Sequence, residues 1–210
     1  MSETVIFIFE LIGIVAFATS GALTAIEQKM DLYGVAALGI ITSVGGGVIR
    51  DLILDVTPPA TFRDPVYALV ALGVALVVFI PAVRRLVFRQ PKVYEITLLI
   101  MDTLGLGLFT VSGVQTAYLK GYADNIFLLL FVGVVSGTGG SILRDVLAGR
   151  RPYVFVKHFY ATASLIGAGL CIGVWHFFGQ TYAVISGALC VFILRFLAAR
   201  FHWRLPRAED

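Results

Sequence analysis

The chain has 210 residues, of which 59% are hydrophobic and 14% charged, against roughly 25% charged in a soluble domain. With a mean hydropathy of +0.92 it carries more apolar surface than a soluble globule of this size can hide, and far too much for a disordered chain. A net charge of +3 gives no argument for a nucleic-acid partner, and Cys171 and Cys190 offer neither a disulfide framework nor metal-ligand spacing, which leaves a polytopic all-α membrane protein.

Seven stretches approach the roughly 20 apolar residues needed to cross a bilayer. The first, residues 4–26, carries Glu10 and Ser20 and has no basic segment ahead of it, so it reads as a span and not as a cleaved leader. Residues 32–56 hold Ser43, the triplet Gly45-Gly46-Gly47, and Arg50-Asp51. Pro58-Pro59 separate them from residues 65–83. Past a basic run and Pro91, residues 96–119 carry Asp102 and Ser112. Residues 125–147 hold Ser136, Gly137, Thr138, Gly139, Gly140, Ser141 and then Arg144-Asp145. After Pro152 come residues 159–178 and 182–199, two further apolar stretches. The connections leave no room for a soluble domain.

Basic residues divide by side. Connections on the side of the N-terminus hold Arg63 and Lys120; the opposite side holds Lys29, Arg84, Arg85, Arg89, Lys92, Arg150, Arg151, Lys157, Arg200, Arg204 and Arg207. The positive-inside rule then places the N-terminus outside and the C-terminus in the cytoplasm, a split that only an odd number of spans permits.

The chain also repeats. Glu10, Gly13, Phe17, Ser20, Gly21, Thr24 and Ala25 recur 92 positions later as Asp102, Gly105, Phe109, Ser112, Gly113, Thr116 and Ala117. TSVGGGVIRDLI from Thr42 recurs at an offset of 94 as SGTGGSILRDVL from Ser136. A unit of three spans enters its second copy from the other side, so the copies are inverted, an arrangement typical of transport proteins with the functional site where the repeats meet. The expected organisation is a single transmembrane domain over residues 1–210, with repeat 1 at 4–90, repeat 2 at 93–178, a seventh helix at 181–200 and a cytoplasmic tail at 201–210.

Ionisable groups in a membrane pair or face water, because each costs at least ~2.5–3.5 kcal/mol at mid-bilayer. At 1.5 Å of rise per residue, Glu10 and Arg50 sit at about the same depth near one face, and Asp102 and Arg144 near the other. Pairing is therefore expected within each repeat, either to pin helices together or to flank a water-filled path. The glycine clusters predict a kink or an unwound turn in the second and fifth spans, since each glycine costs about 1 kcal/mol in a helix interior. Ser43, Gly46, Gly47 and Arg50 share one helix face, as do Gly137, Gly140, Ser141 and Arg144. Small side chains there leave space for a passage lined by hydroxyl and carbonyl oxygens, which suits monovalent cations. Leucine at Gly46 and Gly140 is expected to stop flux without disturbing assembly.

No enzymatic motif is present: H-E-x-x-H, a nucleophile elbow and a P-loop are all missing, and His158, His176 and His202 do not cluster. No catalytic residue, cofactor or resident metal is expected.

The doubled GGGVIRD and GTGGSILRD motifs, in two inverted three-helix units plus a seventh helix, resemble the prokaryotic trimeric intracellular cation (TRIC) channels, whose bacterial relatives carry a "glycine transporter" domain name. The likeness covers about residues 4–200. It implies a homotrimer in a bacterial or archaeal plasma (inner) membrane, surrounded by lipid, with one hourglass pore per protomer that passes K⁺ and Na⁺. It also implies kinks at the glycine motifs. By motif, Gly45, Gly46, Gly47, Arg50 and Asp51 line or brace one half of that pore, and Gly139, Gly140, Ser141, Arg144 and Asp145 the other. Two readings stand beside it: a secondary carrier for a small zwitterion such as glycine, and a membrane scaffold without flux.

Overall fold

The computed structural model describes residues 3–156 and 159–203. Among these residues there are ten helices and no strand: α1 (Glu3–Glu27), α2 (Leu32–Ile53), α3 (Ala60–Arg63), α4 (Val66–Phe79), α5 (Pro81–Phe88), α6 (Pro91–Leu119), α7 (Ile126–Leu147), α8 (Tyr153–Val156), α9 (Tyr160–Phe178) and α10 (Gln180–Arg200). Six are long and apolar enough to span a bilayer, seven if the bent pair α4 and α5 is counted as one broken span. The tail beyond residue 203, with Lys157 and His158, lies outside the described residues.

The third span departs from expectation. Residues 65–83 do not form one rod: α4 ends at Phe79 and α5 leaves at 71°. Pro81 is the cause, since it has no N–H to continue the helix and is suited to a first helical position. Ile80 before it takes extended backbone (φ −54°, ψ 132°). The 14 residues of α4 cover about 21 Å, short of the ~30 Å hydrocarbon core. In α5, Val83, Leu86 and Val87 recur at helical spacing while Arg84 and Arg85 are exposed, a pattern suited to lying along an interface. α6 compensates by starting at Pro91, earlier than the predicted residue 96.

Of the kink or unwound turn expected at the glycines, the unwound turn does not form: α2 and α7 are helical throughout both clusters. Instead the two helices cross there. A Cβ on Gly46 would fall inside contact distance of the Ser136 carbonyl oxygen, and one on Gly140 inside contact distance of the Thr42 carbonyl oxygen. Ser136 and Thr42, like Gly140 and Gly46, are 94 positions apart, so the crossing is itself symmetric. The backbones touch because Gly46 and Gly140 carry no side chain at the point of crossing.

The same pseudo-two-fold relation governs the rest of the core. Phe17 and Phe109 stack at 5.4 Å with an interplanar angle of 17°, each against the partner repeat's glycine, Gly105 and Gly13. Gly39 faces Ala75 and Gly133 faces Ala168, which extends the repeat into α4 and α9 at an offset of 93. The helix ends match too. α2 closes with Val56 N–H on the Asp51 carbonyl and Asp55 at φ 53°; α7 closes with Arg150 N–H on the Asp145 carbonyl and Gly149 at φ 69°. Both are Schellman caps, in which a left-handed residue turns the following residue back toward the helix. Outside the repeats, α10 packs on α9 and α6. Cys171 is buried there, and it and Cys190 are free thiols.

Candidate functional site

Each repeat supplies an Arg-Asp pair at the end of its second helix, and the pair has the same internal geometry in both. Arg50 Nε donates to Asp51 Oδ1 at 2.8 Å, and Arg144 Nε to Asp145 Oδ1 at 2.8 Å. The second oxygen of each aspartate accepts a backbone N–H from the following short helix: Ala60 N–H on Asp51 Oδ2, and Tyr153 N–H on Asp145 Oδ2, both at 2.8 Å. These aspartates thus fix the arginine's orientation and tie down the loop after it.

The rest of each guanidinium reaches across the repeat boundary. Arg50 Nη1 donates to Ser112 Oγ at 3.0 Å, and Ser112 Oγ donates to Glu10 Oε1 at 3.2 Å. Arg50 and Glu10 themselves are 3.9 Å apart. On the other side Arg144 Nη1 donates to Ser20 Oγ and to Asp102 Oδ1, with Arg144 and Asp102 only 2.5 Å apart. The expected pairings of Glu10 with Arg50 and Asp102 with Arg144 are therefore present, each bridged by a serine of the opposite repeat.

The halves are unequally buried. The Arg144 side chain is 0% exposed and Asp102 3%, whereas Glu10 is 22% exposed. A small cleft of about 30 Å³ opens onto the Glu10 half, lined among others by Glu10, Ser43, Gly47, Arg50, Thr61 and Tyr67. In the Arg144 half, Asp102 Oδ2, Arg144 Nη2 and the Tyr160 hydroxyl are buried without a hydrogen-bond partner among the described residues.

The glycines and hydroxyls divide by role. Gly47 opens into the cleft: a Cβ there would meet only Arg50 Nη2, at 3.9 Å. Gly45 faces Leu143, Gly139 faces Gly46, and Gly137 faces Thr110 of α6, so these belong to helix crossings. Ser43 Oγ donates to the Ile40 carbonyl at 2.9 Å, Thr138 Oγ1 to Val134 at 2.7 Å and Ser141 Oγ to Thr138 at 2.8 Å. Their protons are spent on their own helices, which leaves oxygen lone pairs as the only free polar feature. Ser136 is fully buried at the α2–α7 seam.

Two tyrosines escaped the reading of the sequence. The Tyr67 hydroxyl donates to Glu10 Oε2 at 2.8 Å. Tyr160, 93 positions on, has Asp102 and Arg144 as electrostatic neighbours and lies 4.6 Å below the Arg195 guanidinium of α10. Each acid is thus accompanied by a tyrosine from the third helix of its own repeat. The signal was the repeat register, which continues at an offset of 93 past Pro65 and Phe159.

Seven crossings in two inverted units, meeting at paired intramembrane charges, define a polytopic membrane protein of the inverted-repeat class. The family model described as glycine transporter matches residues 7–82 and 99–176. The UPF0126 membrane protein of Deinococcus radiodurans is 40% identical over 94% of this chain and 89% of its own length. The UPF0126 inner membrane protein YadS of Escherichia coli K12 is 33% identical over 94% and 93%. Among solved structures, a TRIC cation channel superposes with a TM-score of 0.85 at 36% identity, covering 97% of each chain. The TRIC orthologue from Rhodobacter sphaeroides superposes at 0.86 and 34%, covering 96% of this chain and 100% of that one. The chain belongs to the trimeric intracellular cation channel family, to which these UPF0126 membrane proteins are related.

Proposed function

We propose that this protein is a homotrimeric channel for K⁺ and Na⁺, with one pore per protomer along the α2–α7 seam, the N-terminus outside and the C-terminus in the cytoplasm. The observation that carries this reading is the charge count at each Arg-Asp motif. Arg50 stands between Glu10 and Asp51, and Arg144 between Asp102 and Asp145. One cation against two carboxylates leaves each half net negative, so the arginines organise the site without repelling a permeant cation, a repulsion that would grow as the dielectric falls. The buried unpartnered oxygens near Arg144 support the same reading, because burial without a partner is costly and favours water or a passing ion there. Gly45, Gly46, Gly139 and Gly140 allow the seam to bend within its continuous helices, and Ser141 in place of a third glycine lets the two halves bend unequally. The likeness to TRIC cation channel structures along almost the whole chain supports the trimer and the ion class.

Purified protein in planar bilayers is expected to give currents whose reversal potential follows the K⁺ gradient and ignores that of Cl⁻. Glu10→Gln removes the exposed carboxylate of the cleft and should lower unitary conductance about two-fold at low salt, and less at 1 M, where the Debye length falls to ~3 Å. Silent bilayers from intact trimers would overturn the channel reading. The description of the family model as a glycine transporter, together with a cleft open on one half, favours as second reading an alternating-access carrier for a small zwitterion. Saturable glycine uptake into liposomes without unitary currents would establish that reading instead.

A further inference from the structure

The two repeats end their second helices with the same Schellman cap, but the residue that the cap turns inward differs. In repeat 1 it is Val56, packed among Leu54, Ala117, Leu129 and Val132, an apolar contact usual at this position. In repeat 2 it is Arg150. Arg150 Nη1 donates to Glu27 Oε2 at the end of α1, Nη2 donates to Thr24 Oγ1 at 2.9 Å, and Nε lies 3.9 Å from Asp145 Oδ1. The same Glu27 oxygen accepts the Tyr94 hydroxyl from the first turn of α6, at 2.6 Å. Arg150 also lies 5.9 Å over the Tyr153 ring. Position 119, the repeat counterpart of Glu27, is an exposed leucine. The end of α7 therefore has a polar knot with α1 and α6 that the equivalent end of α2 lacks.

We propose that Arg150, Glu27 and Tyr94 form a clasp that holds the inner mouth of the pore shut, a proposal that rests on the channel reading and gives that pore a one-sided gate. The clasp joins the end of α1, the start of α6 and the end of α7, the three helices that supply Ser20, Asp102 and Arg144. These lie about two turns deeper, in the half where the charges are buried. Arg150 is the side chain that ties the end of α7 to α1, so the mouth opens at this end when α1 and α7 part. Glu27 is 38% and Arg150 23% exposed at the side chain, so the pair is weak enough to break in ordinary gating, unlike the buried Arg144 pair beneath it.

The experiment compares Glu27→Gln, Arg150→Met and the exchange Glu27→Arg with Arg150→Glu in planar bilayers. Each single variant is expected to raise open probability about two- to five-fold, the scale of a partly exposed ion pair, with unitary conductance unchanged; the exchange should return it toward the wild-type value. Tyr94→Phe removes only one hydrogen bond and should give a smaller rise, which serves if the charge variants fold poorly. Channels of normal conductance whose open probability is unchanged or lower would overturn the clasp. Accessibility separates this outcome from failure of the channel reading. In a background lacking Cys171 and Cys190, Ser20→Cys should be protected from a membrane-impermeant thiol reagent applied inside, and labelled when Arg150→Met is added. Equal labelling in both backgrounds overturns the clasp whether or not current flows; a silent wild type with the expected change in labelling overturns only the channel.

Discussion

Alanine at Gly140 is expected to unfold or strongly destabilise the protein, while leucine at Gly47 should leave the fold intact and stop the flux. The two glycines belong to equivalent motifs, and composition alone cannot tell them apart. A Cβ at position 140 would collide with the Thr42 backbone carbonyl, and one at position 46 with that of Ser136. A carbonyl inside a helix cannot swing aside as a side-chain tip can, so α2 and α7 must separate along the seam that joins the repeats. Overpacking a core costs typically ~1–3 kcal/mol and more where backbone must shift, and Gly140→Ala belongs at the upper end. Leucine there, expected from the motif to spare assembly and block only the pore, should instead prevent assembly. Gly47 has only the Arg50 guanidinium nearby, 3.9 Å from a built Cβ. A side chain there starts without a clash and points into the solvent-open cleft beside Ser43, so Gly47→Leu should stay close to the wild-type melting temperature in detergent while abolishing current. Equal melting temperatures for Gly140→Ala and wild type would remove the seam from this account.

The inverted repeat was legible because offsets of 92 and 94 preserve residue chemistry, and that chemistry paired Glu10 with Arg50 and Asp102 with Arg144 by depth alone. The bend at Pro81 was not, because apolar composition continues through Val83 and hydropathy is blind to one missing N–H. The glycines were read for what they cost a helix on its own. Their contribution depends on a second helix arriving at the same depth, and only packing brings Thr42 to Gly140. Tyr67 and Tyr160 were hidden because a tyrosine in an apolar run looks like core until its hydroxyl finds an acid. Arg150 was counted as a loop charge that sets orientation. Its position after a left-handed Gly149 turns it back against α1, and that consequence of the cap is not visible in a charge count.

Asp102→Asn should destabilise the protein far more than Glu10→Gln, although the two acids are repeat equivalents. Arg144 has a fully buried side chain held between Asp102 and Asp145; neutralising Asp102 leaves a desolvated guanidinium with half its compensation. Breaking a buried pair from one side typically costs about 3–5 kcal/mol, because the remaining charge is stranded. Glu10 is partly exposed and 3.9 Å from Arg50, and Arg50 keeps Asp51 and Ser112. Its loss should cost about 1 kcal/mol or less, as for exposed pairs, and appear mainly in conductance. The double change Asp102→Leu with Arg144→Met removes the stranded guanidinium and should recover part of the stability that Asp102→Asn loses, since Asp145, the carboxylate left behind, keeps the Tyr153 N–H at 2.8 Å and has Arg150 Nε 3.9 Å away. Its flux should stay low, because Ser20 and Asp145 have lost the group that orients them. Thermal melting of the single and double variants, read beside their currents, separates bracing from conduction. If Asp102→Asn melts with the wild type, the Arg144 cluster is wet enough to solvate the guanidinium and its closure does not depend on this pair.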